Sequence, residues 1–112
     1  MIRSLLTSEA HRDPYVWAAV LLAHFTIGAA LWVFAGWWAA LAYAGFELAQ
    51  AGRSRLLAWD SLLDWCGVTL GVAFASHLAH GDRRQALAAV VAVFIIAAVG
   101  YAVRARRAQE AQ

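Results

Sequence analysis

The sequence predicts an all-α fold, a polytopic transmembrane bundle of four helices. Of its 112 residues, 63% are hydrophobic and 14% are charged, whereas a soluble domain is about half apolar and a quarter charged. Mean hydropathy is +0.61, and the apolar stretches approach the length of about 20 residues that one span needs. This composition excludes a water-soluble enzyme, a disordered tail and a nucleic-acid-binding domain. The length fits a single transmembrane domain over residues 1–112.

The first two helices come from one long apolar run, which contains a single acid and no lysine or arginine. Asp13 and Pro14 predict its start, because Asp caps a helix N-terminus and Pro fits the first turn. The run exceeds one crossing of about 20 residues, so it must fold back. We expect the turn at Gly36, within a cluster of tryptophans that suits the membrane interface. Helix 1 is predicted at about 14–34, and a short helix 2 at about 37–51.

Two polar loops separate the remaining helices, which are predicted at about 56–80 and 85–103. Arginine in short loops marks the cytoplasmic side of a span. With four spans, seven arginines share one side of the membrane: Arg3, Arg12, Arg53, Arg55, Arg104, Arg106 and Arg107. The prediction is a bacterial inner-membrane protein with both termini in the cytoplasm. A three-span alternative, in which helix 2 is re-entrant, puts the C-terminal tail on the opposite side.

A stripe of acids and glycines runs along one face of helix 3. Asp60 and Asp64 are four residues apart and share that face, and Gly67 and Gly71 continue it. Small residues let a second helix approach closely in lipid. We therefore predict that Gly67 and Gly71 pack against another helix, and that the two acids find polar partners there.

The polar partners nearest in sequence lie around the loop before helix 3. We predict a polar cluster near the cytoplasmic surface, built from Glu47, Gln50, Arg53, Asp60 and Asp64. Three interpretations stay open: ion pairs that tie helices together, a site for a lipid headgroup or cationic molecule, and a carboxylate metal site. The spacing matches no recognised metal motif, so we predict neither a metal nor a cofactor.

Histidines provide a second set of candidates. His24 lies in the middle of helix 1, where an imidazole makes an interhelical hydrogen bond or relays a proton. His77 and His80 lie near the end of helix 3. They either mark a helix terminus at the membrane interface or bind a metal. The sequence contains no nucleophile–base pair, phosphate loop or zinc signature. We therefore predict no catalytic residue.

The stretch between residues 47 and 71 resembles the VanZ-like family of small membrane proteins. That family shows Glu-x-x-Gln, then Gly-Arg-Ser, then two acids or an acid and an amide four apart, then two glycines. The matching residues here are Glu47, Gln50, Gly52, Arg53, Ser54, Asp60, Asp64, Gly67 and Gly71. The resemblance implies a helical membrane protein, associated in the founding member with low-level teicoplanin resistance.

Three functions are compatible with these observations. The first is a VanZ-like envelope protein that binds a lipid-linked or glycopeptide-type ligand at the polar cluster. The second is a phage-type holin, a pore-forming lysis protein, and the third is an accessory subunit of a larger membrane complex. The partners expected are membrane lipids, further copies of the chain or partner subunits, and no nucleic acid.

Overall fold

The computed structural model describes residues 13–51 and 58–112, and within them the chain is helical without a strand. The predicted all-α fold is therefore confirmed. The four helices are α1 (Pro14–Ala35), α2 (Trp38–Ala51), α3 (Ala58–Ala79) and α4 (Arg83–Glu110).

The first helix begins and ends where local sequence signals predict. The Asp13 side chain accepts a hydrogen bond from the Val16 backbone N–H at 3.0 Å, and Pro14 occupies the first turn. At the other end Gly36 has φ 56°, a left-handed conformation that L side chains rarely adopt. The backbone N–H of Gly36 bonds to the Trp32 carbonyl at 2.8 Å, which closes the helix and turns the chain.

The last helix is longer than its apolar pattern predicts. Gly81 turns the chain with φ 77°, and the Asp82 carboxylate caps α4 by accepting from the Gln85 N–H at 3.1 Å. The helix continues to Glu110 instead of ending near 103. The extension is polar and rich in Ala, Arg, Gln and Glu, which are strong helix formers without being hydrophobic. Hydropathy therefore located the apolar part of α4 and missed its end.

Helices α1 and α3 run parallel to each other. Asp64 lies beside His24, and further along both helices Phe74 packs on Phe25 with ring centroids 5.5 Å apart. Between the end of α1 and the start of α3, the chain therefore returns to the end of the bundle where α1 begins. Helix α2 makes this return and runs antiparallel to both. Helix α3 contacts all three other helices.

The first residues of α1 and the last residues of α4 lie at the same end of the bundle. The Arg104 guanidinium carbon lies 3.9 Å from the centroid of the Trp17 ring, in a cation–π arrangement. Gly100 makes room for that ring, since a side-chain carbon there would overlap the indole of Trp17.

Three helical segments are long and apolar enough to cross a membrane: Pro14–Ala35, Leu62–Ala79 and Arg83–Glu110. This is compatible with a multi-pass membrane protein. Helix α2 has 14 residues, about 21 Å at the α-helical rise, against about 30 Å for the hydrocarbon core.

The large apolar side chains lie mostly on the outside of the bundle. Buried clusters are small, with Trp17 and Leu21 against α4, and Val68 and Val72 against α2. By contrast, Phe34 is 87% exposed. More than a dozen other large hydrophobic residues are also exposed, each to a lesser extent. Soluble proteins rarely expose contiguous apolar surface on this scale, so the outer surface suits lipid.

Candidate functional site

A glycine contact brings the backbones of α1 and α3 together. A side-chain carbon on Gly71 would overlap the carbonyl of Phe25, and one on Gly28 would overlap the carbonyl of Val68. At Gly67 the same carbon would lie 3.1 Å from Leu21 Cδ1. The sequence-predicted packing glycines, Gly67 and Gly71, therefore lie in this contact, and Gly28 joins them from the α1 side.

Next to the glycine contact three polar side chains converge from three different helices. His24 from α1, Glu47 from α2 and Asp64 from α3 each place a nitrogen or oxygen atom within 4.8 Å of the other two. His24 Nε2 lies 3.8 Å from Asp64 Oδ2. We call these three residues the polar triad.

The polar triad lies inside the bundle and not in a loop. His24 comes ten residues after the first residue of α1, about 15 Å along the helix axis. Asp64 comes six residues after the first residue of α3, about 9 Å along that axis. The Glu47 residue is 5% exposed, and the side chains of His24 and Asp64 are 16% and 17% exposed.

The imidazole of His24 is oriented by its own helix. Its Nδ1 lies 2.7 Å from the Val20 carbonyl oxygen, and because a carbonyl only accepts, Nδ1 carries the proton. In the neutral ring Nε2 then has a free lone pair, and it points toward Asp64. The 3.8 Å between Nε2 and Asp64 Oδ2 exceeds the usual hydrogen-bond range of about 2.7–3.2 Å.

Glu47 is buried with one oxygen unpaired. Among the described residues, Oε2 of Glu47 has no hydrogen-bond partner. A buried carboxylate oxygen without a partner costs free energy, typically about 1–3 kcal/mol or more. Tyr43 hydrogen-bonds to the same carboxylate, so pairing within the described part of the chain accounts for only part of the burial of Glu47.

Aromatic side chains enclose the polar triad. Tyr43 lies one turn before Glu47 on α2, interacts with its carboxylate, and meets the His24 ring edge-on with centroids 5.8 Å apart. Trp65, next to Asp64, donates its indole N–H to the Ala40 carbonyl at 3.0 Å. That bond fixes α3 against α2 at the depth of the triad.

The geometry brings together groups of the same electrostatic character. Two carboxylates and an imidazole lone pair are all acceptors, and like charges in a poorly solvated site repel. A proton on the triad or a bound cation removes that repulsion. The arrangement can therefore bind a cation, exchange a proton, or do both in competition.

The structure unites part of the predicted polar cluster and changes its composition. Glu47 and Asp64 do come together, but the partner that the structure shows for them is His24, which the sequence indicated only as a separate relay. The side chains of Gln50 and Asp60, like the whole of Arg53, lie outside the described residues.

Sequence reasoning missed Tyr43, although a signal existed. Tyr43 and Glu47 are four residues apart, so they share one face of α2. The triad itself leaves no local spacing to recognise, because its members come from three helices.

The second group of histidines lies at the turn between α3 and α4. His77 Nδ1 is 4.0 Å from Asp82 Oδ2, with side chains 38% and 48% exposed. His80 Nδ1 donates to the Ser76 carbonyl at 2.7 Å. These contacts lie at an exposed helix terminus. His77, His80 and Asp82 do not converge as closely as the three members of the polar triad do.

The fold and site thus define a helical bundle with three membrane-length helices and a buried triad of acceptors. Comparison of the chain with protein-family models, curated proteins and solved structures finds no match.

Proposed function

We propose that this chain is a multi-pass protein of a bacterial cytoplasmic membrane that binds a cationic ligand at the polar triad. The observation that carries the proposal is the convergence of His24, Glu47 and Asp64 within 4.8 Å, with a buried Glu47 oxygen unpaired among the described residues.

The energetic cost of such a site supports a functional role. Ionisable side chains within a span are costly, at about 2.5–3.5 kcal/mol each at the helix centre on insertion scales and less toward the helix ends. Helix pairing alone needs no such groups here, because the glycine contact already holds α1 against α3. A cation bound between the carboxylates offsets their cost and explains why they face each other.

We also propose that the end of the bundle that carries both chain termini faces the cytoplasm. The last turns of α4 contain Arg104, Arg106 and Arg107, and they lie at the end where α1 begins. Arginine next to a span is retained on the cytoplasmic side. The parallel course of α1 and α3 supports an even number of crossings, in which the short α2 crosses with local bilayer thinning.

Cysteine labelling tests this orientation. In a Cys66→Ser background, a cysteine replaces either His80 at the α3–α4 turn or Gln112 at the other end. A membrane-impermeant maleimide should label His80→Cys in intact spheroplasts, and Gln112→Cys only after the membrane is opened. The reverse pattern contradicts the orientation, and labelling of both contradicts the crossing number.

Carboxyl modification tests cation binding without assuming which cation is bound. Dicyclohexylcarbodiimide is a hydrophobic reagent that modifies protonated carboxyl groups, and mass spectrometry of peptides locates the product. We expect modification of Glu47 or Asp64 in the purified full-length protein, slowed by one cation of a panel of Na⁺, Mg²⁺, Zn²⁺ and tetramethylammonium. Exposed Glu110 is the matched carboxyl, whose reaction no cation should change. If every cation leaves the triad's rate unchanged, the proposal is wrong.

The VanZ-like function stays a prediction with its own test. Growth after induced expression in a glycopeptide-sensitive bacterium should show survival at raised teicoplanin concentration, lost when Asp64→Asn removes one carboxylate of the triad. Abrupt lysis without drug would instead support the holin alternative. Unchanged growth in both conditions would favour the accessory-subunit alternative.

A further inference from the structure

We infer that the cationic ligand of the polar triad is a divalent first-row transition metal ion of the Zn²⁺, Mn²⁺ and Fe²⁺ group. This inference rests on the proposed function, since it names the class of cation that the triad binds. It departs from the sequence analysis, which predicts no metal because no ligand spacing is visible along the chain.

The spacing of the triad is close to that of ligands around one ion. Metal–ligand bonds of about 2.1 Å put two ligand atoms about 3.0–4.2 Å apart, depending on the angle between them. The His24–Asp64 pair is already at 3.8 Å, and all three ligand atoms lie within 4.8 Å. A change in the Glu47 side-chain torsions that moves its carboxylate oxygens by less than about 1 Å would bring all three ligand atoms into this range.

The orientation of His24 is the arrangement that metal-binding histidines adopt. Such a histidine donates its second ring N–H to a carbonyl or carboxylate, which fixes the tautomer and aims the other nitrogen at the metal. Here Nδ1 donates to the Val20 carbonyl at 2.7 Å. Nε2 is therefore presented to the two carboxylates as a neutral ligand before any ion binds.

Charge balance favours a divalent ion. Among the three members of the triad, two carboxylates carry two negative charges and a neutral imidazole carries none, so a divalent cation matches the charge of the triad itself. This match matters because an uncompensated charge in a bilayer is costly.

The donor types narrow the choice among divalent ions. Mg²⁺ and Ca²⁺ prefer oxygen donors throughout, whereas imidazole suits Zn²⁺ and iron, and carboxylates suit Mn²⁺. One imidazole with two carboxylates is a mixed set that fits the transition metals. Three protein ligands would also leave a position open on the ion, and Tyr43 lies beside two of the three ligands, His24 and Glu47.

Co²⁺ is the probe that tests the inference, because its visible absorption reports ligand geometry. The purified full-length protein in detergent is stripped with chelator, titrated with Co²⁺, and then challenged with Zn²⁺. We expect one Co²⁺ per chain, a visible band that Zn²⁺ abolishes, and a loss of affinity of more than about tenfold in His24→Ala or Glu47→Gln. Glu47→Gln preserves shape, which guards against a variant that fails only because it misfolds. His77→Ala is the matched histidine control and should bind Co²⁺ like the unmodified chain.

The outcomes separate the metal inference from the proposed function. Loss of Co²⁺ binding in His77→Ala but not in His24→Ala would place the metal at the α3–α4 turn and overturn the inference. Absence of Co²⁺ and Zn²⁺ binding, together with protection from carbodiimide by Na⁺ or tetramethylammonium, would overturn the metal and leave the cation site standing. Absence of protection by every cation would overturn both.

Discussion

The two halves of the contact between α1 and α3 differ in the kind of groups that meet there. In the glycine half, Gly28 and Gly71 let backbone meet backbone with no space for a side-chain carbon. One turn before Gly28 in α1 and two turns before Gly71 in α3, His24 Nε2 and Asp64 Oδ2 stand 3.8 Å apart, too far for a direct hydrogen bond with each other. The same pair of helices thus has one region in which the two backbones are in close contact, and one in which hydrogen-bond acceptors face each other without a direct bond.

This contrast indicates that stability and function are separated along one helix pair. Close glycine packing gains dispersion contacts and depends on nothing else. The polar half gives up stability by burying Glu47, and this cost is regained only when something positive binds. Substitutions in the two halves should therefore have opposite effects on the free energy of unfolding in the absence of metal.

The largest expected effect is on the glycine half. Gly71→Ala forces the Phe25 backbone to move, because the new carbon would overlap its carbonyl. We expect a loss of about 1–3 kcal/mol in the free energy of unfolding, measured by circular dichroism during denaturation in mixed micelles. Gly45→Ala is the control, since its new carbon meets nothing within 4 Å. Equal stability of the two variants would show that the glycine contact is not formed.

The polar half should respond in the opposite direction. Glu47→Gln removes a buried carboxylate and keeps its shape, so in chelator the variant should be more stable by about 1 kcal/mol. The same denaturation experiment measures the change. Glu110→Gln, at an exposed position, should leave stability unaltered. A less stable Glu47→Gln in chelator would mean that the carboxylate is paired and structural.

A smaller effect is expected where α3 is fixed to α2 beside the triad. Trp65→Phe removes the indole N–H that donates to the Ala40 carbonyl at 3.0 Å, and should cost about 1 kcal/mol. Because this bond holds Asp64 at the right depth, Co²⁺ affinity should also fall in this variant. Trp38→Phe, at a side chain that is 75% exposed, should change neither quantity.

The smallest effect is expected outside the α1–α3 contact. Arg104→Met removes the guanidinium over Trp17 while keeping an aliphatic chain, and should cost about 0.5–1 kcal/mol. Metal affinity should not change, because this contact joins α1 to α4 at the end of the bundle. Arg106→Met is the exposed control. A change in Co²⁺ binding by Arg104→Met would show that the ends and the triad are coupled.

Features set by neighbouring residues could be predicted from the sequence. Asp13 and Gly36 mark the ends of α1 through capping and a left-handed turn, and both are visible locally. The glycine stripe on α3 was visible because its spacing repeats with the helical period. The end of α4 was not, since a helix of polar residues resembles a tail when only hydropathy is considered.

Only part of the polar triad could be predicted from the sequence, and the reason is geometric. Glu47 and Asp64 lie on consecutive helices, before and after the same short connection, and this order along the chain is enough to predict that they are close. His24 reaches them only because α1 and α3 run parallel, which depends on how the glycine contact sets the register of two helices distant in sequence. Such a register is a property of packing, and no spacing within one helix encodes it.

Cation binding is the property that distinguishes the polar triad from a purely structural tie between helices. The most direct measurement is the free energy of unfolding of the unmodified chain and of Glu47→Gln, each in chelator and in excess Zn²⁺. We expect Zn²⁺ at about 100 times its dissociation constant for the unmodified chain to stabilise that chain by about 2.7 kcal/mol. Glu47→Gln, which binds the ion at least about tenfold more weakly, should be stabilised by less than about 1.4 kcal/mol. Equal responses of the two proteins to Zn²⁺, or no response in either, would contradict cation binding at the triad.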